Sequence, residues 1–162
     1  METKKPIKRN AAIVEFSKDH HFALLLVWKI KEGLNKSIEP SRISKYVIHF
    51  FDTDLIHHFK EEENFLFSKL SKEDKLRIQA ETDHDNIYRM IAALRKKTDD
   101  KDLLKQFADI LEKHIRFEER ELFNYLQENI SENVLSEIAS SLKSIEHEPD
   151  TAWDDLFWEA KK

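Results

Sequence analysis

The chain has no cysteine among its 162 residues, one glycine (Gly33) and three prolines. Without cysteine there is no disulfide, no zinc–thiolate site and no thiolate-held iron–sulfur cluster. One glycine cannot furnish β-hairpin turns, a P-loop or a dinucleotide fingerprint, which excludes the enzyme classes built on them. Long apolar runs are missing too. Phe22 to Trp28 is seven residues, against the roughly 20 that a membrane-crossing helix needs, so no membrane association is expected. A net charge of −5 gives no electrostatic basis for binding nucleic acid. The basic opening (Lys4, Lys5, Lys8, Arg9) has no apolar run behind it and does not read as a signal peptide. The expected location is the cytoplasm.

What is present is charge, at 36% of residues, and apolar residues recurring at intervals of three and four nearly throughout. This pattern predicts an all-α protein: a polar arm over 1–16, then a bundle with its C-terminal extension over 17–162. Helix A is expected from Ser17 to Asn35, with Ser17 as its cap. Helix B follows over Ser41–Leu70, helix C from Ser71 to Lys97, and helix D from beyond Asp100 to Glu128. A shorter helix capped by Ser131 should end before Pro149. Short connections make neighbouring helices antiparallel, giving an up-down-up-down four-helix bundle with a short C-terminal helix and tail. In that tail Trp153 and Phe157 are four apart and are expected to cover an edge of the bundle.

Two stretches carry one frame, L-x-x-H-x-x-x-E-E-x-x-L-F: Leu55 to Phe67 and Leu111 to Phe123. A His and a Glu four residues apart lie one above the other on a helix. At 100° per residue, helix B centres its apolar face on Val47, Phe51, Leu55, Phe65 and Leu66, with His58 and Glu62 inside the arc and His57 and His49 off it. Helix D centres on Phe107, Leu111, Leu122 and Tyr125, with His114 and Glu118 inside. Glu63 and Glu119 point sideways and read as solvated. Helix C adds His84 to the stripe of Ala80, Ile87, Ile91 and Leu94. Helix A offers His20 or His21, and His20 lies closer to its stripe of Ala23, Val27, Ile30 and Leu34. His147 reads as a surface residue. Four inward imidazoles and two carboxylates suit two metal ions sharing bridging carboxylates, and a mixed nitrogen and oxygen donor set favours iron or manganese. Hydrogen-bonded His–Glu pairs without metal are the alternative, at a high burial cost for six convergent groups.

These residues resemble the hemerythrin-like (HHE cation-binding) family. The resemblance rests on Asp19-His20-His21, on His58-x-x-x-Glu62 with Leu66-Phe67, on His84, and on His114-x-x-x-Glu118 with Leu122-Phe123. It implies a non-haem di-iron centre in a four-helix bundle. Glu62 and Glu118 would bridge two iron ions, with His20 and His58 on one and His84 and His114 on the other. Oxygen-carrying members have H-x-x-x-H on the third helix, where this chain has His84-x-x-x-Tyr88. One nitrogen ligand is missing there, so the iron would be more open or take a different ligand, and Tyr88 would either pack its ring in the core or bring its hydroxyl to the open iron as a weak ligand or a donor to bound O2, NO or peroxide. That resembles the four-His, two-Glu members associated with iron handling and nitric oxide or oxidative stress. The implied activity is binding of O2, NO or peroxide. The alternatives are a di-iron oxidoreductase consuming peroxide or NO, and a gas or iron sensor acting through a protein partner.

Overall fold

The structure is a computed structural model that describes residues 9–142 and 153–159. His147 lies outside these residues. Every regular element described is helical, with no strand among the described residues. None of the described helices is long and apolar enough to cross a membrane.

The first arm is α1 (Ala11–Asn35). It begins six residues before the expected Ser17. Asn10 is the cap, its side chain accepting from the Ala12 N–H, and Ala12, Ile13 and Phe16 prolong the buried stripe. The apolar pattern reaches past Ser17, and a better-placed cap ends it. At its far end Ser37 takes a φ of 58°. The Ile38 and Ser37 amides return to the carbonyls of Gly33 and Leu34, the helix-ending Schellman pattern.

The second arm joins α2 (Pro40–Phe50), a π turn (Phe51–Leu55), α3 (Ile56–Glu61), a second π turn (Glu62–Leu66) and a short 3-10 turn (Phe67–Lys69). The third is α4 (Lys75–Lys96), which starts later than expected because Asp74, not Ser71, accepts the Leu76 and Arg77 amides. The fourth joins α5 (Lys101–Phe117), a π turn (Glu118–Leu122) and α6 (Phe123–Asn129). Ser131 caps α7 (Glu132–Ser141).

Side-chain bonds give the direction of each neighbouring pair. The first arm meets the fourth through Asn10–Gln127, Ser17–Glu119 and Lys31–Glu112. It meets the second through Asp19–His58 and Lys29–Tyr46. The third arm meets the second through Glu63–His84 and Asp52–Arg95, and the fourth through Asp74–Tyr125 and Asp83–His114. In every pair the numbers rise on one arm as they fall on the other, so the contacts run antiparallel.

The buried side chains form two apolar clusters. One holds Ala23 to Ile30, Val47 to Phe59, Ile87 to Leu94 and Leu104 to Ile115. The other holds Ala12 to Phe16, Leu66 to Leu70, Ala80 and Leu122 to Leu126. His20, His58, Glu62, His84, His114 and Glu118 occupy the layer between them, each with at most 4% of its surface exposed. The expected core positions Phe65 and Tyr125 are only half-buried, while Phe67 and Phe123 are fully buried. The π turn after each Glu causes this, because its wider loop delays the register of everything beyond it.

The tail covers the first cluster. Phe157 and Trp158 are buried against Tyr46, with ring centroids 5.9 and 5.0 Å away. Arg42 bonds both Asp155 oxygens and Lys36 reaches the Trp158 carbonyl. Gly33 makes room for this docking. A Cβ there would sit 2.8 Å from Ile43 Cδ1 and 2.9 Å from Phe157 Cε2. Helix propensity favours alanine by about 1 kcal/mol and overpacking costs about 1–3 kcal/mol. Gly33→Ala should therefore lower stability in urea unfolding, and the loss should shrink in a Phe157→Ala background, where the Ile43 side chain gains room to turn away. An equal loss in both backgrounds would place the steric conflict elsewhere.

Candidate metal centre

His58 and His114 reach the central layer from the last turns of α3 and α5, and Glu62 and Glu118 follow one turn later as the first residues of π turns. His20 and His84 come from the middles of α1 and α4. Of the two candidates on α1, His20 is buried and His21 is exposed; on α3, His58 is buried and His57 is exposed. His49 stacks on Trp153 at 4.6 Å, away from the layer.

Six side chains converge as two overlapping groups, and within each the ligand atoms lie within 4.8 Å of one another. One is His20, His58, Glu62 and Glu118; the other is Glu62, His84, His114 and Glu118. Both carboxylates belong to both groups. Glu62 Oε1 is 3.3 Å from His58 Nε2 and 3.2 Å from His84 Nε2. Glu118 Oε1 is 3.2 Å from His20 Nε2 and 2.9 Å from His114 Nε2. Each Glu therefore stands between a His of one group and a His of the other.

Four further acids face the imidazoles, and three of them are each bonded to one. His58 Nδ1 donates to Asp19 at 2.8 Å, His84 Nδ1 to Glu63 at 2.8 Å and His114 Nδ1 to Asp83 at 2.9 Å. His20 Nδ1 faces Glu119 at 3.6 Å. A carboxylate only accepts, so the proton of each bonded imidazole sits on Nδ1 and the Nε2 lone pair faces the centre. The four contacts close a ring: the first arm's Asp19 holds the second arm's His, Glu63 holds the third's, Asp83 the fourth's, and Glu119 faces the first's.

Glu63 and Glu119 are thus not the solvated side chains the helical wheel suggested. They are about two-thirds buried and face histidines of neighbouring arms. Asp19 and Asp83 were not singled out from the sequence as support for histidines. The available signal was adjacency, because each of the four acids abuts one of the six convergent residues: Asp19-His20, Glu62-Glu63, Asp83-His84 and Glu118-Glu119.

Aromatic rings wall the layer. Phe59 stacks on His84 at 3.9 Å and Phe123 lies parallel to His20 at 5.2 Å. Tyr88 is not one of the six. Its half-buried ring meets Phe51, Phe59 and His84 edge-on. Burial, followed by the charges of Glu63, Asp85 and Glu62, pushes its phenol pKa up.

The donor set fits metal. Toward the centre, Nε2 of His58, His84 and His114, both Glu62 oxygens and Glu118 Oε2 are buried with no hydrogen-bond partner among the described residues, and His20 Nε2 meets Glu118 Oε1 at 3.2 Å. Several of these atoms face one another at 2.9 to 3.3 Å but off hydrogen-bonding angles. Unpaired atoms of this kind are costly to bury, and cations converging on such lone pairs satisfy them together. Without metal, protons take part of that load. Burial opposes a charge on His114, yet Glu118 outweighs it and lifts its pKa to about 10. Burial and the Glu118 charge push Glu62 up. Burial would also raise Glu118, but His114 holds it well below the usual carboxylate range.

The chain matches the family model described as hemerythrin HHE cation binding domain over residues 12–126. No curated protein and no solved structure matches it.

Two outcomes follow from this geometry. Asp83→Ala frees His114 to rotate, so metal affinity should fall about 10- to 100-fold, while Glu121→Ala, at an exposed position, should leave it unchanged. Equal affinities in the two variants would remove Asp83 from the site. The second concerns pH. His114 binds its proton more tightly folded than unfolded, so its stabilisation of the metal-free chain is complete below its ordinary value of 6.5 and lost as pH rises through about 10. The Tm of metal-free protein should fall over that window, and His114→Gln should flatten the fall. A parent Tm that rises from pH 7 to 10 would refute the assignment.

Proposed function

The chain belongs to the hemerythrin HHE cation-binding family, and from that premise we propose that it is a non-haem di-iron protein binding O2, NO or peroxide. Its four arms, whose contacts alternate in direction, are read as an up-down-up-down four-helix bundle. The observation that carries the reading is the position of Glu62 and Glu118, each between imidazoles of both groups. That placement supports bridging carboxylates, with His20 and His58 holding one ion and His84 and His114 the other. Four imidazoles and two carboxylates form a mixed donor set that suits iron.

Bound iron would supply the electrons that a diatomic ligand or peroxide accepts. The chain's own part is positional. The acid ring fixes imidazole orientation, and the two apolar clusters keep water from the layer. Tyr88 stands where oxygen-carrying members of the family have a further His. A ring that supplies no nitrogen leaves the His84/His114 position one protein ligand short of those oxygen-carrying members, and we assign ligand entry to that side. The phenol, close to Glu63, is placed to steer an entering ligand.

Protein loaded with Fe(II) under anaerobic conditions should hold close to two ions per chain. Admission of air or NO should change its visible spectrum. His58→Ala should lower iron content far more than His57→Ala. Tyr88→Phe should keep the iron and alter the rate of autoxidation or ligand release. A single ion at saturation, or a loaded protein whose spectrum ignores both gases, would refute the proposal.

A further inference from the structure

The acid ring is uneven at one place. Three imidazoles bond their acid at 2.8 to 2.9 Å, whereas His20 Nδ1 lies 3.6 Å from Glu119 Oε1, beyond hydrogen-bonding reach. His20 Nδ1 is accordingly among the buried atoms without a hydrogen-bond partner. The other oxygen of the carboxylate is held from outside the ring. Arg9, just before α1, donates through Nη1 to Glu119 Oε2 and through Nη2 to the Glu119 carbonyl at 2.8 Å. Ser17 donates to the same Oε2 at 2.9 Å, and Arg9 also bonds Ser17 at 2.6 Å. The guanidinium lies 5.8 Å from the centre of the Phe123 ring, the ring that stacks on His20. Glu63, the corresponding acid at His84, pairs with no such cation among the described residues; its neighbour is the Tyr88 phenol.

We propose that the two metal positions are inequivalent, and that Arg9 is the positioning residue that keeps the His20/His58 position the weaker. This rests on the two-metal reading above. A carboxylate drawn toward a guanidinium by charge-assisted bonds gives up negative charge and reach. The imidazole behind it is then less firmly oriented and less basic, and such supporting contacts are worth about 10- to 100-fold in metal affinity. The His84/His114 position, with both imidazoles bonded, fills first. The His20/His58 position fills second, and its occupancy is set by whether Arg9 stays on Glu119.

The test is titration of the full chain, stripped of metal by chelation, with Co(II), followed by calorimetry and visible absorption. The parent should take two ions in steps separated by about tenfold or more. His20→Gln should delete the weaker step and His84→Gln the tighter one. Arg9→Gln should strengthen the weaker step alone, and Glu63→Gln should weaken the tighter step alone. If Arg9→Gln fails to fold by circular dichroism, Ser17→Ala removes another hold on the same oxygen and should shift the weaker step in the same direction. Two equal steps in the parent would overturn the inequivalence while leaving the two-metal reading intact. An Arg9→Gln chain whose weaker step is unchanged or weakened would overturn the role of Arg9. Uptake of no ion, or of one at saturation, would sink the two-metal reading itself.

Discussion

Six ionisable side chains share one layer with apolar clusters above and below it, and most of the structure answers to that burial. A carboxylate or imidazolium removed from water loses several kcal/mol of solvation unless charge and hydrogen bonds replace it. Asp19, Glu63 and Asp83 each donate no proton but accept one from a buried imidazole. This fixes three tautomers and leaves the Nε2 lone pairs facing inward. The centre is thereby set up for cations, and in their absence retained protons carry part of the charge. The same feature that makes the layer a good metal cradle makes it a poor place to be without metal.

The helices are shaped around this requirement. An unbroken α-helix would turn Phe65 and Tyr125 into the core beyond Glu62 and Glu118, in place of Phe67 and Phe123. The π turns starting at those residues let each arm place its Glu in the layer and still bury Leu66 and Phe67, or Leu122 and Phe123. Both turns fall directly after the His-x-x-x-Glu element, so the local irregularity belongs to the site. At the other end of the first cluster the tail is held by the Gly33 gap, the Arg42–Asp155 pair and the Lys29 ammonium 4.0 Å from the Trp158 ring centre. Lys29 is nine residues beyond His20, about 14 Å along α1, so the tail seals the core without touching the layer.

Much of this was legible in the sequence because it is periodic. The repeated frame, the single His on each remaining arm and the burial of His20 rather than His21 all follow from 3.6-residue geometry. What periodicity could not carry was a change of period. Phe65 and Tyr125 were assigned to the core on a uniform wheel, and the π turns moved Phe67 and Phe123 there instead. Nor could it carry contacts between arms. Glu63 and Glu119 sit off their own apolar stripes, so a wheel of one helix sends them to solvent. Only the neighbouring helix supplies the histidine that each faces. The start of α1 was missed because Ser17 resembles a cap, whereas its hydroxyl is used on Glu119.

The acid ring has a symmetry that the sequence repeat only half reveals. Asp19-His20 with His58, Glu62 and Glu63 forms one helical hairpin, and Asp83-His84 with His114, Glu118 and Glu119 forms its equivalent. Rotation by half a turn exchanges them, as in a two-fold dimer. Two copies of either hairpin would close the same ring, each supporting its own second helix and its partner's first. Before any ion binds, such a dimer would present two identical positions, since every residue would occur twice. Joining the halves in one chain lifts that restriction. Arg9 leans on one half and Tyr88 on the other, and neither has a mate across the axis. On the two-metal reading, a single polypeptide can therefore build two different positions before either is filled, which identical subunits cannot.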